Sequence, residues 1–522
     1  EFETEYIVTY ESQANGETLV NYDISIINSK ADVIATKYSL AIKKVEVYDV
    51  LAKDKRGDIK VQTDTKDDTT TITVELDDQA IGINKKNNFS IEYKTKNITT
   101  KVGEVWNVNI PQVQNIESTN KYDVSLILPT SLGPKIYVSP TPSAEKNDNF
   151  KYYLEFHKKD LLNTGISASF GSYQVMNFQL KYQLKNDTVF TQIQEIALPA
   201  DKSDQQKVYF KSIDPAPIRV REDRDGNILA SFQIPSKDTL EVKVTGSARI
   251  LGRQIAPSFG SKINKLPGDL VSKYTKTQKY WETNSEEIET ISNSLLSKDA
   301  SVSVNAGKAY EYVINTLDYD FNLAKLSSVE RKGAINSLKT PAESACMEFT
   351  DLFVAITRAM GIPARELNGY AFSSAESLTP ISINLTSGDL LHSWAEFYDP
   401  EYGWVAVDPT WGATSGMDYF TKLDTNHFAF VTKGINSEYP LPAGLYRLND
   451  TDKMVEIDFS QDQTVYDPVG TSSFDQAKAF AKPQKVSMVQ LGGVVIACIV
   501  FFGLGYLLIG RRVLRKSKSN SH

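Results

Sequence analysis

The first 250 residues alternate between apolar and polar positions with a period of two. The segments YIVTYE, LVNYDISII, TTTITVELD, FSIEYKTK, KYDVSLILP and YYLEFH all carry the pattern. Side chains on a strand point alternately to the two faces of a sheet, so each segment has one dry and one wet face. Helical periodicity is absent here. Ala14-Asn15-Gly16-Glu17 separates the first two segments, and Asn-Gly tolerates positive φ, which predicts a hairpin. Residues 1–175 therefore read as a β-sandwich region of one or two domains. NFQLKYQL, VFTQIQEIALP, ILASFQIP and LEVKVTGSARIL continue the alternation and predict a further β-sandwich domain over 176–255. Within it, Asp223-Arg224-Asp225-Gly226-Asn227 begins like a calcium loop but lacks the distal glutamate. Asp-Gly between two strands reads as a tight turn.

Near residue 265 the period changes. SEEIETISNSLL and NAGKAYEYVINTLDYDF place apolar residues at three- and four-residue steps, as amphipathic helices do. In the next helix Phe349, Leu352, Phe353 and Ile356 form one stripe, Gly361 suits the C′ position, and Pro363 prevents continuation. Two N-caps are open. Thr340 precedes Pro341 and Glu343 in capping-box order; Ser344, the favoured one, puts Cys346 in the first turn. Residues 391–398 and 404–408 read as strands joined by a turn-rich 399–403. These elements make an α+β domain over 265–435, followed by a strand and a polar linker over 436–485.

Residues 488–510 carry no charge over about 23 positions, enough to cross a hydrocarbon core of roughly 30 Å. Arg511, Arg512, Arg515, Lys516 and Lys518 follow immediately. This predicts a transmembrane helix over 487–510 and a basic cytoplasmic tail over 511–522. It gives a single-pass protein of the cell membrane with everything before the span outside. The chain starts on Glu1 without an apolar leader, which fits a removed signal peptide.

Composition narrows the classes. The 522 residues exceed what one core can organise, and 41% hydrophobic with 23% charged is ordinary for a globular protein. A net charge of -8 argues against a nucleic-acid binder. Two cysteines, Cys346 and Cys498, rule out an intrachain disulfide framework in the outer part. No His, Cys or carboxylate cluster has metal-ligand spacing, so neither metal nor other cofactor is expected.

Cys346 at a helix start, then His392, then Asp408 are the parts of a nucleophilic thiol site. A hairpin pivoting near Pro400 sets His392 opposite Asp408, with Cβ atoms about 4.5–5.5 Å apart. The carboxylate could then accept from Nδ1–H, and the other ring nitrogen would face the thiol. Each residue has a plainer reading. A cysteine on an apolar stripe is often inert core, a histidine in a sheet is often structural, and Asp408 before Pro409 could simply cap a helix. One register satisfies both His392 and Asp408, which favours the chemical reading. His157, His427 and His522 read as surface or packing residues.

At these residues the chain resembles the transglutaminase-like cysteine enzymes, as tandem β domains with a membrane anchor resemble microbial surface proteins. The likeness covers about 270–430. It runs through AYEYVINTLDYDF, Cys346, Arg358 to Arg365, Gly369-Tyr370, His392-Ser393-Trp394-Ala395-Glu396, Gly403-Trp404-Val405 and Val407-Asp408-Pro409-Thr410. It implies a papain-like α+β core with Cys346 as nucleophile, His392 as base, Asp408 as orienter and the Cys346 backbone N–H at the oxyanion. Relatives usually carry Gly two positions before the cysteine, where this chain has Ser344. Trp394, Trp411 and Tyr370 are candidates to line the substrate cleft. The implied activity is acyl transfer from an extracellular protein or peptide carboxamide through a Cys thioester, by hydrolysis or cross-linking. The alternative is a surface adhesion or scaffold protein that works through its β domains.

Overall fold

The computed structural model describes residues 1–482 except 44, 78–79, 114, 257–259, 324–329, 373–382, 385–389, 450 and 463–469. The predicted spanning helix at 487–510 and the tail at 511–522 lie outside the described residues. Among the described residues no helix is long and apolar enough to cross a membrane. The fold class is corrected accordingly: the described residues form β-sandwich regions and a transglutaminase-like domain, with no spanning helix among them. The single-pass membrane placement built on that helix is withdrawn with it.

The N-terminal strands build on the expected hairpin. Phe2–Ser12 pairs antiparallel with Thr18–Asn28 in register from Phe2↔Asn28 to Ser12↔Thr18. Gly16 closes the turn at φ 86°, a conformation a side chain resists. These strands lie in an eight-stranded sheet, and Phe2–Ser12 also pairs parallel to Lys121–Pro129. A four-stranded sheet and a three-stranded sheet accompany it. Alternate apolar residues from Val8 to Phe170 form one buried cluster among these strands.

The second β region is closed by distant chain. Its four-stranded sheet runs Gln206–Asp214, Thr239–Ile250, Gln174–Lys185, Val455–Phe459. The last strand comes from beyond the α+β domain and pairs Met176↔Phe459 to Leu180↔Val455. Helix Ser473–Phe480 returns to the same region, where Gln476 Oε1 accepts from Phe210 N–H at 3.0 Å and Asp201 N–H donates to Ser473 Oγ at 2.9 Å. Where a strand and a linker were expected over 436–485, the described residues give a strand and a helix packed on this region. These complete the second sandwich, and the α+β domain is inserted into it.

The inserted domain has an antiparallel sheet ordered Ile383–Asn384, Leu390–Asp399, Ala364–Ala371, His427–Lys433, with Gly403–Val407 also on Leu390–Asp399. Helix Cys346–Ala359 packs on this sheet with Glu286–Leu295 and Val302–Thr316 outside it. Phe349, Leu352, Phe353 and Ile356 are all fully buried there. The helix stops where expected: Gly361 takes φ 81° after C-cap Met360.

The Asp223–Asn227 turn joins the two units. Asp223 Oδ1 accepts from Asp225 N–H and Asn227 N–H at 2.8 and 2.9 Å, which spends it on the turn. Asn227 exchanges two hydrogen bonds with the backbone of Thr432, both 2.7 Å. Gln206 does the same with Ala429, at 2.8 and 2.9 Å. Side-chain amides thereby substitute for a neighbouring strand along His427–Lys433 and cover an otherwise open edge.

Candidate functional site

The cysteine helix begins at Cys346, one residue after Ala345 as N-cap, so the thiol sits in the first turn. Glu348 closes the start: its Oε2 accepts from Ala345 N–H at 2.9 Å and its Oε1 from Lys332 N–H at 3.0 Å. N–H groups in a first helical turn have no partner within the helix and carry the positive end of its dipole. Ser344, where relatives usually have Gly, is fully buried and bridged to Tyr319; its carbonyl accepts from Asp320 N–H at 2.9 Å.

Buried ion pairs fix the helix against the sheet. Arg331 holds Asp351 of the helix and, at 2.7 Å, Glu366 of the central strand. Glu366 Oε1 in turn accepts from Ser393 Oγ at 3.1 Å. Arg358, stacked 4.3 Å from the Trp281 ring, donates to the carbonyls of Ala364, Lys276 and Gly434 at 2.8, 2.8 and 2.6 Å. The middle and the C-terminal end of the helix are thus tied to the chain beside it.

The helix that opens on Cys346 packs against strand Leu390–Asp399, which carries His392. His392 Nε2 lies 2.8 Å from Asp408 Oδ2, while Nδ1 is buried without a hydrogen-bond partner. Since an ionised carboxylate only accepts, Nε2 carries the hydrogen and Nδ1 the lone pair. This reverses the ring assignment expected from the sequence. The hairpin register explains part of the change. It pairs Ala395↔Val407 and Asp399↔Gly403, so it pivots at Glu401, one residue beyond Pro400. Asp408 then falls two residues short of the position opposite His392, which keeps it on the same face.

Asp408 also caps helix Pro409–Ser415. Its Oδ1 accepts from Trp411 N–H at 2.9 Å, with Pro409 at the first position. The capping and carboxylate–imidazole readings are therefore both true of one side chain. Gly412 permits this turn, because a Cβ there would stand 1.9 Å from the Tyr310 hydroxyl; that hydroxyl donates to the Asp408 carbonyl at 3.3 Å. Burial pushes the Asp408 carboxyl up, but His392 and then His427 outweigh it and bring it down to about 2.

His427 was misread as a packing or surface residue. It is buried, with Nε2 3.1 Å from Asp408 Oδ2 and Nδ1 2.7 Å from Asp424 Oδ1. The signal available in the sequence was Asp424-x-x-His427 at the mouth of a strand. His157 is exposed but paired, 2.9 Å from Asp123. The donor atoms of His392, Asp408 and His427 lie within 4.8 Å of one another. Asp408 Oδ2 stands within hydrogen-bonding distance of Nε2 of each ring, at 2.8 and 3.1 Å.

Trp394 and Trp411 stand against the His392 ring at 5.9 and 5.4 Å between centroids and are themselves buried. They form dry walls around the imidazole. Tyr370 is not with them: it packs in the core of the second sandwich, with Phe428 and Phe430. Cys346, 1% exposed, lies against Tyr319, Leu323, Met347 and Leu391. Burial pushes its thiol well above the usual range, the Ser393 N–H opposes this, and the charges of Glu348, Asp408 and Glu366 add to it.

The family model of the transglutaminase-like superfamily matches residues 289–409. The chain therefore carries a transglutaminase-like domain, a class consistent with a cysteine enzyme. It is 37% identical over 83 residues to the uncharacterized protein YebA of Bacillus subtilis, covering 15% of this chain and 11% of YebA. It is 36% identical over 67 residues to a protein-glutamine gamma-glutamyltransferase of Pseudomonas aeruginosa, covering 13% and 10%. The chain thus spans about a tenth of the length of these curated relatives. A candidate cysteine protease from Cytophaga hutchinsonii aligns over 56% of this chain and 99% of its own, with TM-score 0.36 and 14% identity. That likeness is too remote to bear on the site.

Proposed function

We propose that the domain is an acyl-transfer enzyme that opens a protein or peptide carboxamide through a thioester on Cys346. The observation that carries this is the bare, buried Nδ1 of His392, held by Asp408 through Nε2, on a strand against which the helix opening on Cys346 packs. The Cys346 proton passes to Nδ1 as sulfur attacks the carbonyl carbon. A lone buried thiolate is costly, which is the penalty that raises this thiol. Transfer within the pair creates a thiolate beside an imidazolium that Asp408 stabilises, so the net charge of the site does not change. The carbonyl oxygen becomes an oxyanion, for which the free N–H groups of the first turn are suitably polarised donors. His392 then gives its proton to the leaving nitrogen, the C–N bond breaks, and ammonia or an amine departs. Water or a primary amine attacks the thioester, loses its proton to His392 and restores the thiol. The Pseudomonas relative is named for glutamine γ-glutamyl transfer, which motivates testing amines as acceptors.

The test offers glutamine peptides with and without a primary amine and follows ammonia release and amine incorporation. Wild type is expected to release ammonia in one or both settings. Cys346→Ala should abolish it while moving the melting temperature by no more than a few degrees. A second reading, a non-catalytic module serving the β domains, is favoured by the near-complete burial of Cys346. Absence of turnover together with strong destabilisation in Cys346→Ala would establish that reading instead.

A further inference from the structure

His427 takes no part in the steps above, yet both its ring nitrogens are committed. One faces Asp408 Oδ2 at 3.1 Å and the other Asp424 Oδ1 at 2.7 Å. Carboxylates accept and do not donate, so each nitrogen carries a hydrogen and the ring is an imidazolium between two anions. The surroundings hold it there. Asp424 is itself fixed by Asn426 N–H at 2.9 Å and by the Tyr419 hydroxyl at 3.1 Å. Trp411 and Trp394 cover the ring at 4.4 and 5.1 Å between centroids, and His392 stands at 5.7 Å. Lys202 and Gln206 line a small void on its far side. The strand bearing His427 is clamped by Gln206 and Asn227, so the ring has a defined origin as well as two defined ends.

Asp408 is thereby held at three points: Trp411 N–H on Oδ1, and both imidazoles on Oδ2. We propose that His427 is a positioning residue for the His392–Asp408 pair. Its imidazolium keeps Oδ2 of Asp408 on Nε2 of His392 and so preserves Nδ1 of His392 as the bare nitrogen, the one the acyl-transfer reading assigns to the Cys346 proton. The proposal rests on the roles given to those side chains above. Burial lowers the basicity of His427, but Asp424 and Asp408 more than compensate and raise it to about 9. This agrees with the doubly protonated ring that the contacts require.

The test uses the full chain with ¹⁵N-labelled histidine rings; four histidines keep the spectrum simple. At pH 7.5 the wild type should show His427 protonated on both nitrogens and His392 as the Nε2–H form. His427→Ala should scramble the His392 tautomer and slow iodoacetamide alkylation of Cys346 about tenfold or more. His427→Gln, which still offers an N–H toward Asp408, should recover most of that rate. A singly protonated His427 in wild type, or an unchanged His392 tautomer in His427→Ala, overturns the proposal. If His427→Ala does not fold, Asp424→Asn decides: His427 should lose its second proton by pH 8, and retention overturns the proposal. A wild-type thiol that never reacts counts against the acyl-transfer reading, and the ring spectra still decide the role of His427.

Discussion

In the N-terminal sandwich the buried polar residues described are neutral Ser, Thr, Asn and Tyr, apart from the Asp54 side chain near Arg56. Tyr10 and Tyr22 share a hydroxyl contact at 3.2 Å, and Ser12 bridges Thr18 and Thr99 at 2.9 and 2.7 Å. Burial raises the Tyr10, Tyr22, Tyr93 and Tyr122 hydroxyls, so they stay protonated. Charges there meet at the surface, as in Lys86–Glu5 and Lys151–Glu11. The inserted domain buries charge instead: Arg331 with Asp351 and Glu366, Arg365 with Glu396, and the Asp408–His427–Asp424 array. Desolvating ions costs several kcal/mol each unless partners and hydrogen bonds compensate. One region is built to be stable with little at stake electrostatically. The other holds a small number of side chains in fixed orientation at considerable cost, which is what a reacting centre needs.

The contrast can be broken most forcefully at Arg331. Arg331→Met leaves two carboxylates buried without their cation and should cost about 3–5 kcal/mol of unfolding free energy, read by urea denaturation. A loss below 1 kcal/mol would put the inserted domain on the same footing as the sandwich.

The next effect is on pH. His427 is raised from 6.5 to about 9, so its contribution is complete below about 6.5 and is lost as pH rises through about 9. Asp408 is lowered from 3.8 to about 2, so its contribution is present above about 3.8 and is lost as pH falls through about 2. Stability from this array should therefore be greatest between about 4 and 6.5. The alkaline loss, on the order of 3 kcal/mol, should disappear in His427→Gln. Thermal denaturation of both proteins from pH 5 to 10 checks it.

The smallest effect belongs to the sandwich. Lys86→Ala removes a half-exposed ion pair to Glu5 and should change stability by less than about 1 kcal/mol, with salt abolishing even that.

What the sequence revealed followed the range of the interactions involved. The N-terminal strands were legible because alternation and an Asn-Gly turn are local, and the cysteine helix because its stripe and Gly361 stop lie within twenty residues; its N-cap is Ala345 and not the expected Ser344. Cys346, His392 and Asp408 stood out by residue type and order. The ring nitrogen that meets Asp408 did not, because one residue of turn register cannot be read from Asp399 to Gly403. His427 was overlooked because its link to Asp408 depends on a strand edge held by Gln206 and Asn227, some two hundred positions earlier. The return of Val455–Phe459 to Gln174–Lys185 was equally hidden, since an edge strand of mixed polarity looks like any short strand. The helix expected from the apolar run at 488–510 lies outside the described residues.

The account stands on proton exchange between Cys346 and His392. It is tested most directly by the rate of iodoacetamide alkylation at Cys346 from pH 5 to 10, in wild type and in His392→Asn. Wild type should react measurably below pH 8, and His392→Asn should react only as pH rises past about 8.5. Identical profiles in the two proteins, or a wild-type thiol that stays inert across the range, would contradict it.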